Sequence, residues 1–245
     1  LICFGSIMIN TAPNFFASKG YCLFPEVMSQ EETRAMQQHL DEANKARQLD
    51  QPQYFGEPHT KDSYWLELCR HPGLLDAVEA ILGPNLILVY SSMFIKPADN
   101  AELSVGWHQD NTYWPSVNGT DVVTAWLAID HADAANSAMQ VIPGSHLNGQ
   151  VDYEKSADEE HNVLNQTVRD PLEYGETPVT LAMAAGQISL HTDLLLHGSE
   201  PNRSTRRRCG LTLRYMPPDV RSLDMQRTKA YICRGEDPGE EGRDY

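Results

Sequence analysis

Hydrophobic and polar positions change their rhythm once along this chain. The run GYCLF, Gly20 to Phe24, is short and apolar in the manner of a strand. It leads into SQEETRAMQQHLDEANKAR, where Ser29 followed three residues later by Glu32 makes a capping box, so a helix is expected from about Gln30 to Arg47. In HPGLLDAVEAILGP, Leu74, Leu75, Val78, Ile81 and Leu82 recur at helical spacing and Gly83-Pro84 supplies a stop, which predicts a second helix. Beyond it the period shortens. NLILVYSSMFIKP, DVVTAWLAID, SAMQVIP, GQISLHTDLLLHG and RCGLTLRYMP are β-branched or aromatic-rich runs bounded by Pro, Gly, Asn and Asp, each expected to be a strand. Helices first and separated strands afterwards, with no β-α-β alternation, predict a mainly β fold with flanking helices: an antiparallel double-sheet barrel or jelly roll.

The polar, charged segment from Gly149 to Thr177 interrupts the strands and is expected to be an insertion, either a lid or a solvated loop. The tail from Arg234 to Tyr245 is charged and carries Gly and Pro, which predicts mobility. Residues 1–19 open with LICFGSI, too short and without the basic flank of a secretion signal, and are expected to be a leader or an added segment.

Composition narrows the function. A length of 245 residues with 41% hydrophobic content is enough for one domain with its own core, spanning 1–245. The net charge of −15 opposes binding to nucleic acid or anionic membranes and favours a small-molecule partner. Five cysteines, odd in number and without a C-x-x-C pair, suggest neither a disulfide framework nor a cysteine zinc site, and point to a reducing, cytoplasmic setting. No apolar run reaches the ~20 residues a bilayer requires. Oligomeric state is not legible.

The chemistry concentrates in WHQDNTYW, Trp107 to Trp114. On an extended strand His108 and Asp110 would point to one side and could chelate together, with Gln109 facing away. A lone H-x-D is weak, because surface triplets of this kind are common, and a third ligand is needed. His197, at the end of an apolar strand, is the candidate. Two imidazoles and one carboxylate on one face leave three positions open, the set used by non-haem Fe(II), whereas structural zinc takes a closed tetrahedron. His191, in the H-x-D of HTD, is a rival on the same run and is ranked as structural. Downstream, RCGLTLRY alternates so that Arg208, Gly210, Thr212 and Arg214 share one face, placing a planar fork of donors where it could grip a carboxylate. Arg206 and Arg207 fit a solvated basic turn.

Together WHQD, TAWLAID, VIPGSH, LHGSEPNRS and the arginine that follows resemble the phytanoyl-CoA dioxygenase family from about Gly20 to Tyr215. These are Fe(II)- and 2-oxoglutarate-dependent oxygenases on a double-stranded β-helix, a cupin-like jelly roll. The resemblance implies that His108, Asp110 and His197 ligate iron and that Arg208 and Ser199 hold the distal carboxylate of 2-oxoglutarate. It implies that Met93, Gln109 and Trp126 line the co-substrate pocket, where ordinary core packing is the competing account, and that His59 lies near a position touching co-substrate or substrate. Tyr113 and Trp114 could form an aromatic wall for substrate, or be rim packing. Arg214 could receive an anionic or zwitterionic substrate, or pair with an internal carboxylate. Ser137 stands where the family usually has glycine, and Asp110 disfavours halogenation, which needs that carboxylate replaced.

The implied activity is hydroxylation of an aliphatic C–H bond in a small organic molecule, consuming O2 and 2-oxoglutarate and releasing succinate and CO2. Desaturation, cyclisation or C–X cleavage at the same iron, a non-catalytic metal-binding protein, and a zinc hydrolase on a cupin-like barrel are the alternatives.

Overall fold

A computed structural model describes residues 11–25, 27–46, 54–99, 103–113, 117–118, 121–156, 162–222 and 230–236. The first ten residues, most of the acidic tail and Trp114 lie outside them. Among the described residues no helix is long and apolar enough to cross a membrane.

Helix α1 (Ala12–Lys19) falls inside the segment expected to be a leader, and it packs: Ala12 is fully buried and Phe15 and Phe16 lie against the core. Gly20, at φ +80°, ends it in the left-handed conformation open to glycine and returns its N–H to the Phe16 carbonyl at 2.7 Å. Strand β1 (Tyr21–Phe24) follows, then α2 (Gln30–Ala46). The capping box is closed in both directions: Ser29 N–H donates to Glu32 Oε2 at 2.8 Å and Glu32 N–H to Ser29 Oγ at 3.2 Å. After β2 (Tyr54–Gly56) come the short helices α3 (Pro58–Lys61) and α4 (Ser63–Cys69), then α5 (Pro72–Leu82), stopped at Gly83.

The long strand β3 (Leu86–Lys96) opens the β region, followed by β4 (Val105–His108), β5 (Val117–Asn118), β6 (Val123–Ala128), β7 (Gln140–Val141), β8 (Glu154–Lys155), β9 (Gln166–Thr167) and β10 (Val179–Thr180). Then come β11 (Ile188–Thr192), β12 (His197–Ser199), β13 (Arg208–Met216), β14 (Arg221–Ser222) and β15 (Tyr231–Arg234). The larger antiparallel sheet runs β1-β11-β6-β13-β3-β15 with β2 also on β3, and the smaller runs β10-β7-β12-β4. The two sheets form a jelly roll, and neither closes into a barrel.

Alternation sorts the larger sheet's two faces. Cys209, Leu211, Leu213 and Tyr215 of β13 join Met93 and Ile95 of β3 in the main core, against Met36, Leu40, Trp65, Leu74 and Val78 of the helices. Each such side chain, fully buried, contributes about 1.5–3 kcal/mol. The opposite residues of the same strands, Ser92, Thr212 and Arg214 among them, face the smaller sheet.

One expectation is corrected. GQISLHTDLLLHG is two strands, not one: β11 lies in the larger sheet and β12 in the smaller, joined through a turn at Asp193–Leu196. The 149–177 insertion, expected as a lid or a solvated loop, is anchored through its described residues. Asn162 Oδ1 accepts from Gly106 N–H at 2.9 Å, Val168 N–H donates to the Trp107 carbonyl at 2.7 Å, and the β8-β9 hairpin thereby sits beside β4. At Gly106 a Cβ would stand 2.6 Å from Asn162 Nδ2, so glycine is what lets the two segments close.

Candidate metal centre

His108 and His197 are register partners on neighbouring strands β4 and β12, so both rings leave the smaller sheet on one face, 4.1 Å apart between centroids. Each ring is oriented by its own backbone. His108 Nδ1 bonds the Gly106 carbonyl at 2.8 Å and His197 Nδ1 the Leu195 carbonyl at 2.9 Å. A carbonyl only accepts, so the proton sits on Nδ1 and the Nε2 lone pair points outward. Both Nε2 atoms stand 3.8 Å from Asp110 Oδ1, and the three donor atoms lie within 4.8 Å of one another.

Asp110 arrives by a different route from the one strand alternation suggested. Strand β4 ends at His108, and the chain turns into a 3-10 turn over Asp110–Tyr113. The turn, tied by Asn111 N–H to the Asp193 carbonyl at 3.1 Å and Thr112 Oγ1 to the Gln109 carbonyl at 2.8 Å, swings the carboxylate toward the rings. Gln109 does face away: its amide nitrogen donates to the carbonyls of Gly149 and Leu194 at 2.9 and 2.7 Å, and its oxygen accepts from Val151 N–H at 2.9 Å.

The larger sheet holds the far side of the carboxylate. Thr124 Oγ1 donates to Asp110 Oδ2 at 2.7 Å and His191 Nε2 stands 3.5 Å from the same oxygen, while Arg214 Nη2 lies 3.9 Å from Oδ1. Burial by itself would raise the Asp110 pKa, but the Arg214 charge and the neighbouring His191 and His197 hold it well below the usual carboxylate range. Burial pushes His108 down, against the Asp110 charge; it pushes His197 well down, helped by the neighbouring His108 and His191. At neutral pH the cluster is therefore two neutral imidazoles and one carboxylate, the ionisation state that ligates a divalent cation. The donor set and its aim fit a 2-His-1-carboxylate ion with open positions.

The cavity that holds these atoms is also lined by Ser199, Arg208, Trp126 and Arg214, with Phe94, Val105 and Leu164 as apolar wall. Arg208 is buried; its Nε and Nη2 donate to the Ser137 carbonyl at 3.0 and 2.8 Å, and Nη2 donates to Ser199 Oγ at 3.1 Å. Its guanidinium lies 5.5 Å from the Trp126 ring, whose indole fits because a Cβ at Gly210 would sit 2.0 Å from it. Arg214 Nη1 donates to Ser92 Oγ and Thr212 Oγ1, both at 2.9 Å. Arg206 and Arg207 are engaged at the surface, with Asp133 and with Asp130 and Asp41 respectively.

Other candidates stand elsewhere. Tyr113 meets the His108 ring edge-on at 5.9 Å. Met93 is buried in the main core, on the helix-covered face of β3. His59 is on that face too, its Nδ1 2.6 Å from Ser91 Oγ and its ring against Tyr231. Sequence reasoning passes over Thr124, Leu164 and Lys96. Only Lys96 carried a signal, as the one cation in NLILVYSSMFIKP.

The phytanoyl-CoA dioxygenase family model matches residues 16–210. The chain is 26% identical over 171 residues to a peroxisomal phytanoyl-CoA dioxygenase of Bos taurus, covering 69% of this chain and 50% of that protein. It is 32% identical over 155 residues to a probable alpha-ketoglutarate-dependent hypophosphite dioxygenase of Stutzerimonas stutzeri, covering 62% and 53%. The chain thus spans about half the length of these relatives. An L-proline trans-4-hydroxylase of Streptomyces griseoviridis, 24% identical over 226 residues, is covered to 83% by 82% of this chain. Among solved structures, the apo form of the non-heme monooxygenase ThoJ superposes with a TM-score of 0.72 at 26% identity, over 93% of this chain and 85% of that one. The alpha-ketoglutarate-dependent carbocyclase SnoK, at 21% identity and TM-score 0.71 over 86% and 85%, shares the fold.

Proposed function

The chain belongs to the phytanoyl-CoA dioxygenase family, and from that premise we propose that it is an Fe(II)- and 2-oxoglutarate-dependent oxygenase hydroxylating an aliphatic C–H bond of a small organic molecule. The observation that carries the reading is the convergence of His108 Nε2, Asp110 Oδ1 and His197 Nε2 in one cavity with the buried Arg208. Ferrous iron, when bound with 2-oxoglutarate, supplies the oxidising chemistry that turns O2, co-substrate and a C–H bond into succinate, CO2 and an alcohol.

The protein's part is aim and exclusion. The backbone bonds at Nδ1 fix both rings with Nε2 outward, so that a metal would meet them already oriented. Thr124 donates to Asp110 Oδ2, with His191 close to the same oxygen, which would leave Oδ1 to a bound metal. Arg208 and Ser199 receive the distal carboxylate of 2-oxoglutarate, with the Trp126 indole beside the guanidinium. Phe94, Val105 and Leu164 limit water near the reacting bond. Because Arg214 bonds Ser92 and Thr212 and lies against Asp110, its charge serves the metal-binding carboxylate, which weakens the case for an anionic substrate and favours one with an aliphatic face. The presence of Asp110 favours oxygenation over halogenation.

Anaerobic addition of Fe(II) and 2-oxoglutarate should give a visible charge-transfer band, and a substrate panel under air should then give succinate with stoichiometric hydroxylated product. A band without substrate-dependent succinate would support the binding-protein alternative. Turnover that needs neither O2 nor 2-oxoglutarate would overturn the proposal in favour of a hydrolase.

A further inference from the structure

Lys96 is 5% exposed and is the register partner of Arg208 across β3 and β13. Two basic side chains are thus buried side by side, and among the described residues neither forms an ion pair with a carboxylate. Lys96 Nζ donates to Ser137 Oγ at 3.0 Å and to the carbonyls of Ser199, at 3.1 Å, and Glu200. Arg208 donates twice to the Ser137 carbonyl and once to Ser199 Oγ. Every bond of the Lys96 ammonium therefore goes to residues that also set Arg208 and Ser199 in place.

Ser137 is the joint. Its φ of +68° is in the left-handed region, strained for a residue with a Cβ. That backbone turns the carbonyl onto the Arg208 fork, while the hydroxyl donates to the Glu200 carbonyl and accepts from Lys96. Glycine would adopt the turn without strain but would leave Lys96 one acceptor short. Burial, reinforced by the Arg208 charge, pushes Lys96 down to about 6. An anion arriving at Arg208 would offset the charge that lowers Lys96 and satisfy the buried guanidinium.

We infer that Lys96 and Ser137 are positioning residues for the co-substrate: they fix Arg208 and the Ser199–Glu200 segment to receive the distal carboxylate of 2-oxoglutarate. The inference rests on the reading above that Arg208 and Ser199 take that carboxylate.

The test compares 2-oxoglutarate with pyruvate, a 2-oxo acid lacking the distal carboxylate, each titrated anaerobically into Fe(II)-loaded protein and followed by the charge-transfer band. Lys96→Met should weaken 2-oxoglutarate about tenfold or more and leave pyruvate unchanged. Ser137→Gly should weaken 2-oxoglutarate by roughly three- to tenfold while melting no lower than wild type, because strain is released as the bond is lost. Under air, both should raise KM for 2-oxoglutarate more than they lower kcat. Equal weakening of both acids would make the pair merely structural and overturn the inference. Should Lys96→Met fail to fold, Ser137→Gly decides alone. Arg208→Ala separates the layers: if it narrows the gap between the two acids and the other variants do not, the inference fails by itself, and if it too leaves the gap intact, the underlying reading of Arg208 fails.

Discussion

His191 shows how closely a ligand and its neighbour can resemble each other. It lies in the same cavity as His108 and His197, yet it approaches Asp110 through Oδ2 while the ligand pair approaches Oδ1. His197→Ala should abolish Fe(II) or Co(II) binding measured by anaerobic calorimetry. His191→Ala should keep binding and lose about 10- to 100-fold in affinity, the usual effect of removing a group that orients a ligand; a complete loss in that variant alone would reverse the ligand choice. His59 offers a test away from the metal. Burial, with the Lys61 charge, lowers its pKa to about 4, so between pH 6.5 and 4 the unfolded chain takes up a proton there that the folded protein refuses. Acid therefore favours unfolding. The stability of wild type relative to His59→Gln should fall by on the order of 3 kcal/mol from pH 7 to pH 4 in denaturant titrations, and a constant difference would show that the ring protonates freely in the fold. At this scale the cluster of His108, Asp110 and His197 and the buried Arg208 beside it were legible, since two histidines, a carboxylate and a strand-borne arginine form a pattern. Thr124 was not: a threonine in a strand has ordinary β propensity, and only the fold shows what its hydroxyl meets.

Elements were harder to read where a strand changes sheets. Ile188 to Ser199 carries Ile and Leu along its length with no Pro or turn-forming Gly before Gly198, and periodicity cannot register that the chain leaves the larger sheet after Thr192 and enters the smaller at His197. That crossing matters, because it puts His191 and His197 on facing layers of one cavity. Helices α2 and α5, by contrast, were plain from the capping box at Ser29 and the stop at Gly83, both local signals, whereas α1, α3 and α4 were not foreseen. The insertion was visible as a polar interruption, but its anchorage was not, since it depends on one asparagine reaching Gly106 and Ser156. Asn162→Ala should release it: hydrogen exchange at the amides of Gly106 and Val168 should speed by roughly tenfold or more, with β3 and β13 unchanged. Unaltered protection would mean that the backbone bonds alone hold the hairpin.

Across the whole molecule, the proposed site draws on both layers, although its candidate ligands all belong to the smaller sheet and the turn that follows it. His108 and His197 stand on the smaller sheet, while Asp110 is gripped by Thr124, His191 and Arg214 of the larger. Metal that binds only the folded chain adds about 2.7 kcal/mol at a hundred times its Kd, and for a chain of this size that corresponds to roughly 5–10 °C in Tm. Calorimetric scans with Co(II) and with a chelator should differ by that amount, and coincident scans would mean that the ion binds too weakly to hold the layers. An ion seated there works as a rivet through a laminate. Pulling it should let the plies part before either one frays, so chelated protein ought to exchange its amides first along the facing edges, deep within a molecule whose outer surfaces stay quiet.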